Sequence, residues 1–154
     1  MTQAVITVQN LAELARAAEA GLPVGRDTVV VDEDGSVRVN PKPSPSRHHF
    51  WLDGLLFHVS ITPQGGSTLF QIWAEVGYMP YTIQSPEKRA RLQAVLRAAM
   101  WLGNARFIVD DQQKILVLGQ QEVPGHLTLN DLMYETVQFM QEARPYLRVL
   151  GQYL

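Results

Sequence analysis

Alternation of apolar and polar residues predicts several short β-strands. The two longest strand-like runs are Phe50–Ile61 and Leu69–Met79, and a segment with two adjacent glycines, Gly65 and Gly66, separates them. Two further hairpins are predicted within residues 28–39 and 107–118, because runs rich in apolar residues flank acidic turns there. Strands joined by such short turns pair in the antiparallel direction, so we expect an antiparallel sheet built from hairpins.

Three segments show the apolar spacing of amphipathic helices. The first, Asn10–Ala20, begins with a capping box, and the second, Ser85–Leu102, begins with an N-cap serine followed by a proline. The third begins at Thr128, which precedes a periodic apolar stripe. Pro145 is expected to end or kink this last helix near Ala143, because proline removes a backbone donor and clashes with the preceding turn.

These elements predict a fold of the α+β class in the order α-β-β-β-β-α-β-β-α. Helices that are separate from the hairpins in sequence favour a layer of helices on one side of the antiparallel sheet. A chain of 154 residues has the usual length of one domain, so residues 1–154 are expected to form a single domain. Prolines at alternate positions predict an exposed loop over residues 40–47.

Composition narrows the classes of partner. The chain has no cysteine, which excludes disulfides and thiolate nucleophiles. Its 13 basic and 15 acidic residues give a formal net charge of −2, and nucleic-acid-binding proteins usually carry an excess of positive charge. No apolar run approaches the roughly 18 residues of a membrane span, and no signal peptide is visible. We therefore expect a soluble cytoplasmic protein without a nucleic-acid or membrane partner.

Few residues form a pattern typical of catalysis or metal binding. The sequence has no nucleophile elbow, no glycine-rich phosphate-binding loop and no His-Glu-x-x-His zinc motif. His48 and His49 are neighbours on a strand and point to opposite faces, which disfavours a shared metal. His58 and Glu75 form an acid–base pair only if the register of the hairpin places them side by side, and a structural hydrogen bond is the alternative. We expect no catalytic residues, no metal and no cofactor.

The two long strands each have two different faces, because side chains alternate along a strand. One face is apolar and must be covered by the core: Leu55, Phe57, Val59 and Ile61 on the first strand, with Phe70, Ile72, Ala74, Val76 and Tyr78 on the second. The other face mixes polar residues with Leu56, Leu69 and Trp73. These three are candidate contacts for an extended segment of a partner protein. The alternative is that the N-terminal helix or the residues after Pro145 cover them.

The predicted helix Ser85–Leu102 has a second usable face. Its core stripe consists of Leu92, Val95, Leu96, Ala99 and Leu102, and a roughly opposite stripe consists of Ala90, Ala94, Arg97 and Trp101. The small alanines allow another backbone to approach closely, and a large exposed aromatic residue is typical of an interface anchor. We interpret this second stripe as a homodimer interface, with a solvated helix face carrying a stray tryptophan as the alternative.

The C-terminal half resembles a known fold family. A hairpin with an acidic turn leads into a short proline-containing connection and a Leu-Thr helix start, in the order Ala105, Asp110-Asp111, Leu118, Glu122-Val123-Pro124 and Leu127-Thr128-Leu129. This passage and the order of elements resemble the type III secretion chaperone-like fold. Class I secretion chaperones share that fold with YbjN-like bacterial regulators of sensory transduction. The resemblance implies dimerisation through the helix that corresponds to Ser85–Leu102.

The resemblance and the two apolar surfaces imply a non-enzymatic, chaperone-like homodimer that binds a segment of a partner protein. The alternative that the resemblance implies is a YbjN-like regulator of sensory transduction or stress, which acts through protein–protein contacts. An enzyme is the least favoured class, because no nucleophile or oxyanion site accompanies the candidate acid–base residues.

Overall fold

The computed structural model describes residues 23, 24, 27, 29–40 and 42–154. The predicted helix Asn10–Ala20 lies outside the described residues. In chain order the elements are β1 (Val29–Val31), β2 (Val37–Val39), β3 (Ser46–Leu52), β4 (Leu55–Gln64), β5 (Ser67–Tyr78), α1 (Pro86–Ala98), β6 (Arg106–Val109), β7 (Lys114–Pro124) and α2 (Leu129–Gly151). A short 3-10 turn, Ala99–Trp101, extends α1.

Five strands form one antiparallel sheet in the order β3-β4-β5-β7-β6. Strands β3, β4 and β5 follow one another through short turns, whereas α1 separates β5 from the β6–β7 hairpin. Strands β1 and β2 form a separate two-stranded ribbon. The sheet and the two described helices confirm the α+β prediction.

The described residues contain one more strand ahead of α1 than the sequence pattern predicts. The predicted strand Phe50–Ile61 is interrupted at Asp53 and Gly54, which have φ angles of 52° and 78° and join β3 to β4. Two successive positive φ angles are those of a type I′ hairpin turn, for which Asp-Gly is a preferred pair. The predicted count of four strands is therefore wrong. Apolar residues flank this turn on both sides, so the sequence pattern resembles that of one continuous strand.

Both described helices pack on the same face of the sheet. Phe139 and Ala143 of α2 meet the core side chains of β4, β5 and β7, and Leu92 of α1 joins a second buried cluster with Ile115 and Leu150. The main cluster contains Phe57, Val59, Ile61, Phe70, Ile72, Ala74, Ala105, Val117, Leu127, Phe139 and Ala143. Helices on one side of the sheet are thus confirmed, and the opposite face carries neither of them.

A β-bulge changes the predicted faces at the end of β5. The register against β7 shifts between Glu75 and Gly77. A bulge inserts one residue into the alternation, so side chains beyond it no longer follow the same faces. Tyr78, predicted to face the core, is exposed, and Val76 is half-buried.

The helices begin where the sequence predicts. Ser85 is the N-cap of α1 with proline in the first turn, and Thr128 and Asp131 form a capping box at the start of α2. However, α2 continues through Pro145 to Gly151, so of the two predicted effects of Pro145, an end or a kink near Ala143, the end is wrong. Pro145 is exposed. On the solvent side of a helix, water replaces the hydrogen bond that proline removes.

The proline-rich loop is shorter than predicted. Residues 42–45 have no regular structure, whereas Ser46 and Arg47 already belong to β3. Ser46 is buried and pairs with Ile61 across the sheet. The last two residues of the predicted loop are therefore held by the ladder of the edge strand.

Candidate functional site

The face of the sheet opposite the helices carries a row of side chains that crosses all five strands. Antiparallel register places His49 opposite His58, and His58 opposite Trp73. Trp73 in turn lies opposite Leu118, which lies opposite Arg106 on the edge strand β6. The rings of His58 and Trp73 stack, with 5.5 Å between their centroids and 21° between their planes.

A second row, beside the first, adds more apolar side chains. Trp51 lies opposite Leu56, and Leu116 lies between Glu75 and Ile108. We call the six apolar residues of the two rows the open patch: Trp51, Leu56, Trp73, Ile108, Leu116 and Leu118. Their shared face follows from the register, because directly paired residues of neighbouring strands point to the same side of a sheet.

None of the six open-patch residues belongs to either buried core cluster. Trp51 is 69% exposed, Ile108 is 39% exposed, and the other four are half-buried. Contiguous apolar side chains of this kind on a protein surface mark sites where a protein or another apolar partner binds.

A polar row bounds the open patch. Gln71 lies between Ser60 and Gln120 in the ladder, and its Nε2 donates a hydrogen bond to Oε1 of Gln120 at 3.2 Å. Leu69 lies beyond this row, between Thr62 and Glu122. Of the three predicted partner-binding residues, the structure thus brings Leu56 and Trp73 into adjacent rows and leaves Leu69 apart from them.

Most of the open patch was missed by reading the two long strands alone. Trp51 lies on β3, and Ile108, Leu116 and Leu118 lie on β6 and β7. A sequence signal for part of it exists in the run Ile115–Leu118, where every residue is apolar. Such a run places apolar side chains on both faces of a strand, which is typical of a strand that is buried on both faces.

The rim of the open patch holds one ion pair. Nζ of Lys114 lies 3.2 Å from Oε1 of Glu75 and 5.7 Å from the centre of the Tyr78 ring. The hydrogen bond to Glu75 raises the pKa of Lys114. The ammonium stays charged at neutral pH, so the rim of the patch remains polar.

The candidate acid–base residues His58 and Glu75 have different partners. His58 faces Trp73, whereas Glu75 accepts a hydrogen bond from Lys114, so the register does not pair the two candidate acid–base residues. Within the part of the chain that the structure describes, no group of three or more His, Cys, Asp or Glu residues has the arrangement of a metal site.

The second predicted surface is the stripe on α1. Ala90, Ala94, Arg97 and Trp101 are all exposed, and Trp101 is 92% exposed. The opposite side of α1 packs through Leu92. Because α1 covers the core face of the sheet, its outer stripe and the open patch lie on opposite sides of the molecule. Two proteins can therefore occupy the two surfaces without competing.

Among solved structures, the chain is similar to YbjN from E. coli, which is described as a candidate transcription regulator. The two share 15% identity with a TM-score of 0.39, and the similarity covers 97% of this chain and 93% of that chain. YbjN-like proteins are one of the two groups that the sequence resembles. No family model and no curated protein matches the chain. None of the helices in the described part of the chain has the length and apolar character to cross a bilayer.

Proposed function

We propose that the protein is a non-enzymatic, chaperone-like homodimer that dimerises through the α1 stripe and binds a segment of a partner protein on the open patch. The observation that carries this proposal is the pair of apolar rows on the sheet face that neither described helix covers. Burial of such side chains by a partner stabilises a complex without any covalent chemistry.

The partner that fits the open patch is an extended or helical segment with apolar side chains. Arg106 and the two histidines of the first row give the patch a polar border, which fixes the orientation of a bound segment more than its affinity. A secreted client captured on this face makes the protein a secretion chaperone. A signalling or transcription component captured there makes it a regulator of the YbjN-like type.

Replacing Trp73 with threonine should weaken partner binding about 30-fold, because loss of a central aromatic anchor costs about 2 kcal/mol. Threonine is β-branched, and such side chains suit a strand. The partner is first identified by cross-linking in cells and mass spectrometry, and its affinity for purified wild-type and variant proteins is then measured by calorimetry.

The matched control for this experiment is Leu69→Thr. Leu69 lies on the same strand and the same face, but the Gln71–Gln120 row separates it from the open patch. Leu69→Thr should weaken partner binding much less than Trp73→Thr does. Equal affinity of the Trp73 variant and the wild type would remove the open patch as the binding surface.

Replacing Trp101 with glutamate should convert the homodimer into a monomer. A charge at Trp101, the only large apolar side chain of the stripe, would be buried without a partner in the dimer interface, and that cost exceeds the gain of a typical interface contact. Light scattering on the eluted peak gives the mass. The control is Ile83→Glu, which changes another highly exposed apolar side chain outside the stripe. A wild-type mass of one chain would show that the stripe is a solvated surface.

A further inference from the structure

A groove lies between α1 and the edge strand β6, on the side of the sheet that carries the helices. Its volume is about 660 Å³, and its apolar lining includes Leu96, Met100, Phe107 and Val109. Met100 is 77% exposed, so this part of the lining is open to solvent. The groove is separate from the open patch, because Phe107 and Val109 pair with the core residues Val117 and Ile115 and so face the other side.

The edge of β6 offers backbone groups next to this groove. Among the described strands, β6 pairs only with β7. The amide of Asp110 donates to the carbonyl of Lys114, so Asp110 and Lys114 form a hydrogen-bonded pair at the end of the hairpin. In an antiparallel ladder such pairs alternate with non-bonded ones. Phe107 and Val109 therefore direct their N–H and C=O groups away from β7.

The outward backbone groups and part of the groove lining belong to the same residues. The outward backbone groups are those of Phe107 and Val109, and the side chains of both residues line the groove. A strand added beside β6 continues the sheet by backbone hydrogen bonds, and every second side chain of that strand enters the groove. This is the arrangement by which sheet edges bind extended peptides, with affinity from the backbone and specificity from the pocket.

The groove also has unpaired positive charge. Arg89 donates to the carbonyl of Pro80 and to Gln113, and Arg97 donates to the carbonyl of Gln93. Neither guanidinium has a carboxylate within ion-pair distance among the described residues. An acidic side chain on an added strand would supply that partner.

The one carboxylate in the lining does not neutralise these arginines. Oδ1 of Asp110 accepts hydrogen bonds from the amides of Gln112 and Lys114, so it is held within its own turn. We propose that the β6 edge and this groove bind an extended segment of a partner protein whose groove-facing side chains, at every second position, include both apolar residues and an aspartate or glutamate. This surface does not depend on the open patch, and each can fail without the other.

Selection from a display library of random ten-residue peptides on the full-length protein tests this proposal. The enriched peptides should carry apolar residues and at least one acidic residue at positions two apart, because such positions share the face that enters the groove. Hydrogen exchange of the complex with the best peptide should show new protection at the amides of Phe107 and Val109. Absence of enrichment, enrichment of basic peptides, or unchanged exchange at these two amides would overturn the proposal.

Two pairs of variants locate the bound peptide. Val109→Pro removes an outward N–H, and Val109→Thr retains it, so only the proline variant should bind about tenfold or more weakly, as expected for loss of edge hydrogen bonds. Arg97→Glu should weaken binding by at least about tenfold through charge repulsion, whereas Lys88→Glu, on the same helix but outside the groove, should not. Equal peptide affinity of the two proteins in either pair would contradict the proposal.

The mass of each variant is measured in parallel, because Arg97 also belongs to the predicted dimer stripe. A change of mass in Arg97→Glu with unchanged peptide affinity would assign this arginine to the contact between two copies and overturn its role in the groove. Likewise, a wild-type dimer that becomes a monomer in Val109→Pro would show that a second copy of the chain occupies the β6 edge.

Discussion

Replacing Glu142 with alanine should lower the free energy of unfolding by about 3 kcal/mol, because three backbone amides then lose their acceptor. Oε1 of Glu142 accepts from the amide of Gly103 at 3.2 Å, and Oε2 accepts from the amides of Asn104 and Ala105 at 2.5 and 2.9 Å. Ala105 is buried, so water cannot fully replace the carboxylate there. Urea-induced unfolding followed by circular dichroism gives the change.

Two further variants of the same helix test this explanation. Gln141→Ala changes an exposed neighbour and should alter stability by no more than about 0.5 kcal/mol. Glu142→Gln keeps one acceptor but turns an NH₂ group toward backbone donors. Its decrease in the free energy of unfolding should therefore lie between those of Glu142→Ala and Gln141→Ala. If Glu142→Ala and Gln141→Ala have the same stability, the carboxylate does not hold residues 103–105.

The Glu142 contacts illustrate what a sequence pattern does not reveal. In the sequence, Glu142 is one of several polar residues on an amphipathic helix. Its partners lie 37 to 39 positions earlier, in the connection between the 3-10 turn and β6. No local spacing rule links these positions, because the contact depends on how α2 lies across the sheet.

Local signals, in contrast, predicted the elements well. The proline after Ser85, the capping box at Thr128 and the acidic turn at Asp110 each act within four residues, although the Ser85 side chain itself makes no capping hydrogen bond. Their effect does not depend on the tertiary fold. Pro145 was interpreted by the same local rules, yet α2 does not end there, since packing of α2 on the sheet outweighs the cost of one proline on the exposed side of a helix.

The open patch was predicted in part because alternation along a strand is local, whereas the order of strands is not. Leu56 and Trp73 followed from the faces of the two long strands. Trp51 required the turn at Asp53 and Gly54, which brings β3 beside β4. Leu118 required β7 to lie between β5 and β6, and no pattern within β7 indicates that position.

The α1 stripe was predicted from helical periodicity alone, and all four of its residues are exposed in the structure. In a single chain, a dimer interface and a solvated helix face are both exposed. The homodimer therefore stays a prediction, and the masses of the wild type and the Trp101→Glu variant test it. The groove beside β6 had no counterpart in the sequence pattern. The groove forms only because β6 lies at the edge of the sheet and α1 packs beside it, and both are properties of the tertiary fold.

Gly119 of β7 lies close to both α2 and the Glu142-bound loop. It lies opposite Ile72 on the core face of β7. A Cβ atom at this position would lie 2.6 Å from Cδ2 of Phe139 and 2.9 Å from the carbonyl oxygen of Asn104. Phe139 has little room to move, because its ring is buried and packs edge-on against Phe57 with 6.2 Å between centroids.

Replacing Gly119 with alanine should therefore lower the free energy of unfolding by about 3 kcal/mol, at the upper end for one extra methyl group in a packed core. Both atoms in the way belong to groups that resist displacement, a buried ring and a backbone carbonyl. Urea unfolding measures the loss. Gly66→Ala is the matched control, because no atom lies within 4 Å of its added Cβ and it should be close to neutral. Equal stability of the two alanine variants would mean that α2 can shift away from β7, and the close contact between them would then not be a constraint on this fold.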